Sequence, residues 1–253
     1  MKRILGLVGA TLLIAGPAFA ADLGRAPVYK APPMVPVFSW TGWYIGGNAG
    51  YGWGESTSPG ISSPDFTFTS GAFPSLSPKG FIGGGQIGYD WQVNNWVIGL
   101  VTDFQGADIK ASGTNGVIGR TTGNTGTTSL SEKLDFLGTT RVRLGWAANN
   151  WLFYGSGGVA YGDVHSTVNF NIPGNLPVPL LLSGAHSETR VGWAAGGGIN
   201  YAVTPNWILG VDYLHYDLGH TSVTGVDPVF LTTIKASQTV AGDIVRGVIN
   251  YKF

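Results

Sequence analysis

Apolar and polar residues alternate one by one along most of the chain after Trp40. In the first such run, Trp43, Ile45, Tyr51 and Trp53 share one face, and Asn48 lies on the other. A period of two predicts β-strands whose alternate side chains face different surroundings. The sequence contains about eight runs of this kind, an even number, which is typical of outer-membrane barrels.

The connections between these runs also alternate. Short turns containing Asn or Pro each end at a tryptophan, in the pairs Asn95-Trp96, Asn150-Trp151 and Asn206-Trp207. Longer segments rich in Gly, Ser, Thr, Asn and Pro lie near residues 54–79, 110–131, 165–185 and 217–237. Short periplasmic turns and long extracellular loops are the expected asymmetry of such barrels. We therefore predict an all-β fold, an eight-stranded antiparallel up-and-down transmembrane β-barrel with four long extracellular loops.

Aromatic residues recur where the predicted strands meet the short turns, and Trp40 and Trp43 are predicted to mark the entry to the first strand at the same level. Amphipathic rings at one level around a barrel form an aromatic girdle at the membrane interface. The alternative is a soluble sandwich with tryptophans in its core, but that fold needs neither repeated edge aromatics nor a terminal aromatic. The predicted periplasmic girdle consists of Trp43, Trp91, Trp96, Trp146, Trp151, Tyr201, Trp207, Tyr251 and Phe253.

The beginning of the chain has a different pattern. Two basic residues, an apolar stretch and the sequence Ala18-Phe19-Ala20 predict a cleaved signal peptide over residues 1–20. Residues 21–39 contain four prolines and are predicted to be an extended periplasmic segment, either a tether or a simple spacer. The barrel domain is then expected over residues 40–253.

Composition narrows the class of protein further. Charged residues make up only 11% and aromatic residues 12% of the chain, which suits a protein solvated partly by lipid. The absence of cysteine excludes disulfides, thiolate metal sites and a cysteine nucleophile. Without its signal peptide the chain is slightly acidic, so no basic footprint for nucleic acid is present.

Several of these segments together resemble a known family. The sequence from Trp40 to Trp53, the stretch Gly83-Gly84-Gly85-Gln86-Ile87-Gly88-Tyr89 and the terminal Asn250-Tyr251-Lys252-Phe253 are similar to small alphaproteobacterial outer-membrane β-barrel proteins. These are called outer-membrane immunogenic, surface-antigen or porin-family proteins. The resemblance implies a role in envelope integrity or host contact. It also implies recognition of the terminal Phe253 by the barrel-assembly machinery.

Charged residues on the polar face of the predicted strands are candidates for a functional cluster. An eight-stranded barrel is just wide enough for side chains to fill, so opposite charges inside are expected to pair and close it. The alternative is a narrow, porin-like channel. The predicted interior charge network consists of Asp103, Asp135, Arg141, Arg143, Glu188, Arg190, Asp212 and Arg246.

Two glycine-rich stretches, residues 83–88 and 155–160, match the dinucleotide-binding fingerprint. That motif must turn from a strand into a helix, whereas the strand period continues through both stretches. We expect no cofactor, and the glycines are better explained by bending in a tightly curved barrel. His186, Ser187 and Glu188 are consecutive, but alternation places Ser187 on the opposite face from its neighbours. No histidine has metal-ligand spacing, so neither catalytic nor metal-binding residues are predicted.

These observations predict a structural, surface-exposed protein of the outer membrane that is not an enzyme. Its expected partners are the bilayer, lipopolysaccharide and the assembly machinery. Host, phage or envelope components are expected to contact the loops. The alternatives are the narrow channel and, as a third class, an enzyme that hydrolyses lipid or peptide at the rim.

Overall fold

The computed structural model describes residues 38–54, 60–62, 74–118, 125–172, 180–226 and 233–253. The predicted signal peptide and almost all of the predicted proline-rich segment lie outside these residues. Both therefore stay predictions. Within the described ranges, no helix is long and apolar enough to cross a membrane.

The described residues form one closed β-sheet. β1 pairs with both β3 and β9, every neighbouring pair is antiparallel, and the short β2 adds to β9 at the loop end. The predicted barrel of eight long strands is confirmed. The strands are β1 (Gly42–Gly54), β2 (Gly60–Ser62), β3 (Lys79–Val93), β4 (Trp96–Ile118), β5 (Thr125–Ala148), β6 (Trp151–Ile172), β7 (Leu180–Ala202), β8 (Trp207–Val226) and β9 (Thr233–Lys252).

The stagger of the strands defines the shape of the barrel. The register path that leaves Trp96 crosses all eight long strands and returns to β4 at Gly106, ten residues further along. A shear of this size in an eight-stranded barrel corresponds to strands tilted by roughly 40° from the axis. The interior is then wide enough for side chains and no wider.

Each Asn-Trp turn is fixed in the same way. The side-chain amides of Asn95, Asn150 and Asn206 donate to the carbonyl oxygens of Ala147, Ala202 and Lys252 at 2.9, 3.0 and 2.9 Å. In all three turns the asparagine therefore ties its hairpin to the end of the next strand.

In the first two turns the preceding residue has a special conformation. Asn94 and Asn149 adopt φ values of 55° and 54°, in the left-handed region that asparagine tolerates better than most residues. The asparagine pairs of these two turns thus have two separate roles, one in the backbone conformation and one in strand docking.

The two faces of the strands are sharply different. On β4, Leu100 is 52% exposed on the outside whereas its neighbour Val101 is 5% exposed inside. We call the outward apolar and aromatic residues the apolar belt. Its members include Ile45, Ile87, Ile98, Leu144, Phe153, Ile199, Leu209 and Ile249. Apolar exposure of this extent is expected where lipid is the solvent.

In three of the four segments predicted as long loops, 110–131, 165–185 and 217–237, the residues that the structure describes are strand, so the predicted extent of these loops was wrong. Most of the remaining segment, 54–79, lies outside the described residues. β4 and β5 stay paired out to Ile118 and Thr125, and β6 and β7 out to Ile172 and Leu180. Serine and threonine made these stretches look like loops, yet threonine favours strands. Inward apolar residues such as Leu130 also stabilise the extended hairpins, since Leu130 is only 4% exposed.

Two apolar clusters occupy the interior. The turn-end cluster lies near the short turns and contains Trp40, Val97, Ala147, Leu152, Ala202 and Ile208. The loop-end cluster lies on the other side of the charged residues and includes Ile82, Ile109, Leu137, Val164, Leu214, Leu218 and Ile244. Trp40, expected to mark the start of the first strand at the interface, is instead 1% exposed inside the barrel.

Among the described strands, the longest gap in the register lies at the seam between β7 and β8. β7 and β8 pair from Trp193 and Asp217 down to the short turns and meet again only at Ser183 and Val226. Between these points β8 bends inward at a bulge, with Gly219 at φ 78°. The side chain of Leu218 consequently reaches the loop-end cluster and approaches Gly162 on β6.

Candidate functional site

Four charged side chains meet in the middle of the barrel. Asp103 Oδ2 accepts hydrogen bonds from Arg141 Nη2 at 2.8 Å and from Arg246 Nη2 at 2.9 Å. Arg246 also donates to both carboxylate oxygens of Asp212, at 2.8 and 3.1 Å. All four residues are at most 4% exposed, so each charge depends on its partners rather than on water.

A second ion pair lies beside this group. The Arg143 guanidinium donates to both oxygens of Asp90, with 2.7 Å between Nε and Oδ1. The same guanidinium lies over the rings of Tyr44 and Tyr154, 4.8 and 5.2 Å from their centroids. Cation–π contact with two rings and a bidentate carboxylate holds Arg143 in one position. We call the six charged residues of the two groups the interior charge network.

Neutral polar side chains complete this layer. Gln86 donates to Asn250 Oδ1 at 2.7 Å, and Gln105 donates to Asp103 Oδ1 at 2.9 Å. Thr139 accepts from Arg141 Nε at 2.9 Å, and its backbone amide donates to Asp103. These contacts supply several of the hydrogen bonds that buried charges require.

The layer is balanced in charge and enclosed by apolar residues. Its three carboxylates oppose three guanidinium groups, so it produces no net field that would select one sign of ion. The turn-end cluster covers it on one side and the loop-end cluster on the other. The arrangement fills the middle of the barrel with paired charged side chains.

The structure distributes the predicted charged residues differently from the prediction. Asp103, Arg141, Arg143, Asp212 and Arg246 meet inside the barrel, together with Asp90. Sequence reasoning left Asp90 out of the network, although alternation with Trp91 already placed it on the polar face.

Asp135, Glu188 and Arg190 do not join the network, and their placement there was incorrect. A bulge on β5 changes the strand's phase, so that Asp135 faces outward and contacts Lys133 at 2.5 Å. Glu188 and Arg190 pair with each other at 2.9 Å on the β7 stretch that has no register partners on β8, and both side chains are only partly buried there.

The predicted girdle residues lie on the outer surface beside the short turns. Their rings associate across neighbouring strands, with centroids 5.1 Å apart for Trp96 and Trp146 and 4.6 Å apart for Trp151 and Tyr201. Trp207 contacts Tyr251 at 5.3 Å, and Tyr251 contacts Phe253 at 5.4 Å. Trp43 and Trp91 are also exposed there, and Trp43 packs against Tyr89.

The glycine-rich stretches that match the dinucleotide fingerprint lie within β3 and β6. The strands continue through them, as the alternation predicted, so neither stretch opens a helix. An added Cβ at Gly84 would lie 2.0 Å from the carbonyl oxygen of Phe104, and one at Gly158 would lie 2.1 Å from that of Thr140. Glycine is needed there because neighbouring strands approach closely on the inside of a tight curve.

A buried carboxyl lies in the interior above the belt. Glu132 lines a cavity of 10 Å³, room for about one water molecule, together with Leu134 and Tyr216. Burial raises the pKa of this carboxyl to about 7, and a hydrogen bond with Gln238 opposes that rise. The shift favours the protonated form of the Glu132 carboxyl.

Histidines on the outer face contact carboxylates. His165 Nε2 lies 3.3 Å from Asp135 and 3.4 Å from Asp163, and His165 is the register partner of Ser187 on β7. His215 lies 2.9 Å from Asp243. Among the residues that the structure describes, no group of three or more side chains is arranged to hold a metal ion.

Comparison with known proteins agrees with this architecture. Residues 10–253 match the family model of the outer membrane protein β-barrel domain. The chain is 38% identical to the 31 kDa outer-membrane immunogenic protein of Brucella melitensis over the whole of both chains. It is 29% identical to a 22 kDa outer membrane protein of Rhizobium leguminosarum, over 85% of this chain and 84% of the relative. The solved structure of OprG from Pseudomonas aeruginosa matches with a TM-score of 0.46 and 15% identity, over 87% of this chain and 99% of that one.

Proposed function

Because the chain belongs to the outer-membrane β-barrel protein family, we propose that it is a closed structural barrel that displays its loop-end hairpins at the cell surface. It resides in the outer membrane and has no catalytic role. The short turns face the periplasm, and the loop end contacts host, phage or envelope components. The observation that carries this proposal is the filled interior, since a barrel plugged by side chains acts through its walls and ends.

The plug argues against the channel alternative. Ions crossing the barrel would have to pass two apolar clusters and a layer in which every carboxylate is bound to a guanidinium. Dewetted apolar constrictions are barriers to ions even where the backbone leaves room. Purified protein in a planar bilayer is therefore expected to give no discrete conductance steps. Regular steps that persist with freshly refolded protein would overturn the closed-barrel proposal.

The display role is tested at the loop end. Its strands extend beyond the belt and present exposed polar side chains such as Thr114 and Asn169. Shortening one hairpin at a time, with both strands cut at paired positions, preserves the register of the belt. Loss of a surface-binding or envelope phenotype in at least one shortened variant is expected. Wild-type behaviour of all of them would remove the display role.

The end of the chain supports recognition during assembly. Phe253 is 73% exposed, and its backbone amide donates to the Trp43 carbonyl oxygen at 3.0 Å. Its ring contacts Tyr251 and is otherwise exposed at the closing seam between β1 and β9. Phe253→Ala is expected to reduce the amount of barrel inserted in cells. Spontaneous refolding into vesicles should change little, because the ring makes few contacts. Equal insertion of wild type and variant in cells would contradict recognition through Phe253.

One observation favours an enzymatic alternative. Ser187 and His165 face each other across β7 and β6 on the outer surface, and two carboxylates contact the histidine. No hydrogen bond is found between the serine hydroxyl and the imidazole, so the nucleophile is not activated as a triad requires. Wild type and Ser187→Ala should therefore release no fatty acid from phospholipid or lipid A. Release by wild type that Ser187→Ala abolishes would establish the enzyme instead.

A further inference from the structure

Four adjacent strands carry a basic residue at the same level of the outer wall. Lys79 on β3 is the register partner of Lys110 on β4, which is opposite Lys133 on β5, which is opposite His165 on β6. Each lies fourteen or fifteen residues from the short-turn end of its strand. The three lysines are exposed and His165 is half-buried. We call these four residues the basic row.

The row is electrostatically unfavourable by itself. Like charges directly opposite each other on neighbouring strands repel. Carboxylates offset part of this repulsion: Asp108 lies 3.1 Å from Lys110, and Asp135 lies 2.5 Å from Lys133. His165 lies 3.3 Å from Asp135 and 3.4 Å from Asp163. No carboxylate lies within ion-pair distance of Lys79 in the part of the chain that the structure describes. Lys79 is therefore the cation of the row that is most open to an external anion.

On the side of the basic row that is closer to the short turns, the same strands present apolar surface. Phe81 lies two residues from Lys79 on the outside of β3 and is 76% exposed. Phe104, Phe136 and Tyr161 form an aromatic cluster on β4 to β6, with centroids 6.0 to 6.2 Å apart. Cations above aromatic and apolar side chains complement an amphiphile with an anionic head.

The arrangement is confined to one side of the barrel. The next strand continues the row with Ser187, and β8 and β9 carry carboxylates, Asp217 and Asp243, near the upper boundary of the belt. A general interfacial girdle would surround the wall. Lysines confined to three adjacent strands instead define a local site.

We propose that the basic row binds the phosphate groups of lipid A, the membrane anchor of outer-leaflet lipopolysaccharide, while the acyl chains lie along the apolar belt below. The proposal rests on the proposed function, because it requires the loop end to face the outer leaflet. Lys79, Lys110 and Lys133 donate to phosphate oxygens, each as a point charge with three N–H donors. The aromatic cluster contacts the upper part of the acyl chains.

Binding is measured by titrating the full mature protein in detergent with lipid A and counting bound lipids by native mass spectrometry, in EDTA. The test variant combines Lys79→Ala, Lys110→Ala and Lys133→Ala. Lys235→Ala with Lys252→Ala is the matched control, because it removes lysines outside the row. A third variant carries arginine at the three row positions and keeps the charge.

Each lysine near a phosphate is expected to contribute roughly fivefold, so the triple alanine variant should bind between about tenfold and about a hundredfold more weakly. The control and the arginine variant should bind as wild type does, and dephosphorylated lipid A should bind as weakly as the triple variant. Equal binding by the triple alanine variant, or of dephosphorylated lipid A, would overturn the proposal.

Binding that appears only with added Mg²⁺ and disappears in Asp108→Asn with Asp135→Asn would also overturn it, in favour of carboxylate-held divalent cations. Apart from Lys252, which lies over the Phe38 ring, these substitutions are at outward-facing positions. Folding of every variant is checked by the heat-dependent gel mobility of the barrel. If lipid A binding is not found, the predictions of no conductance in a planar bilayer and of a surface phenotype for shortened hairpins still stand. The two proposals are thereby distinguishable.

Discussion

Asp103 and Arg246 are 143 positions apart in the sequence, yet they hydrogen-bond at 2.9 Å across the inside of the barrel. Their strands, β4 and β9, are not neighbours in the ring, because β1 and β3 lie between them. The contact therefore braces opposite parts of the wall. Asp103 also holds Arg141, so one carboxylate supports two guanidinium groups.

Replacing this carboxylate should strongly destabilise the barrel. Asp103→Asn keeps the size of the side chain but leaves two buried cations short of a charge partner. Removing one partner of a buried ion pair costs about 3 to 5 kcal/mol in the free energy of unfolding. Urea unfolding from vesicles measures the loss. Asp108→Asn, on the exposed outer face, is the control and should change stability by less than about 1 kcal/mol.

A second variant separates charge balance from packing. Asp103→Leu combined with Arg141→Met and Arg246→Met removes three charges of the network and retains approximate volume. Asp212 would then lose its partner, so the variant also carries Asp212→Asn. Replacing a complete buried ion network by apolar or neutral residues is often neutral or stabilising. We expect this combined variant to be more stable than Asp103→Asn alone. The reverse order would show that packing geometry, rather than uncompensated charge, dominates.

Close strand approach predicts a position-specific effect of glycine substitution. Gly84→Ala places a methyl group against backbone that has no side chain to move aside, so the wall must distort. Gly85→Ala is the matched control on the next residue, since its Cβ would meet only the Gly46 oxygen at 3.7 Å. The yield of folded barrel in vesicles should fall for Gly84→Ala and remain unchanged for Gly85→Ala. Similar yields would refute a steric role for Gly84.

The edge-to-face pair of Trp96 and Trp146 tests the girdle. Their centroids are 5.1 Å apart, and such pairs contribute about 0.5 to 1.5 kcal/mol beyond burial. A double-mutant cycle with alanine at both positions should give a coupling energy in this range. Fluorescence quenching by lipids brominated near the headgroup should exceed quenching by lipids brominated at the chain ends. Strongest quenching from the bilayer centre would contradict an interfacial girdle.

Stability should depend on pH through Glu132. Burial raises its pKa from 4.5 to about 7, so the folded protein binds this proton more tightly than the unfolded chain. The resulting stability is complete below about pH 4.5 and is lost as pH rises through 7, with a total of at most about 3 kcal/mol. Glu132→Gln should reduce the change of the unfolding midpoint with pH between pH 5 and pH 8. Glu188→Gln, at a half-exposed position, should leave the pH dependence unchanged. A pH dependence that Glu132→Gln does not alter would exclude Glu132 as its source.

Orientation can be tested by labelling, because the chain contains no cysteine. A single cysteine at Thr114 or Ser129, near the loop end, should react with an impermeant maleimide on intact cells. Pro205→Cys, in a short turn, should react only after the outer membrane is permeabilised. Labelling of Pro205→Cys from outside would invert the molecule and remove the basis of the lipid A site.

Alternation was sufficient to identify the strands and to assign most side chains to a face. Leu100 and Val101 show why: in a single-layer wall, neighbouring residues have opposite surroundings. It failed where the period breaks. The bulge beside Asp135 shifts the phase by one residue, and nothing in the local sequence announces it.

The sequence pattern also did not indicate which distant residues pack together. Trp40 looked like the other interfacial tryptophans, yet it folds into the mouth of the barrel, where Gln92 Oε1 accepts a hydrogen bond from its backbone amide at 2.8 Å. The loop-end cluster escaped prediction because its members come from seven strands, each contributing only a few apolar residues. A period-two pattern reports which face a residue occupies and carries no information about which residues meet across the lumen.

The seam between β7 and β8 makes local opening of the wall easier there than in the rest of the barrel. A fully closed barrel has no sheet edge, whereas residues 184–192 of β7 lack backbone partners on the β8 side. Amide hydrogens that point toward this seam exchange from the native state without global unfolding, while those of the belt exchange only when the whole ring opens. Removed from the membrane, the molecule would begin to associate with other chains at this edge, far from the apolar surface that detergent covers.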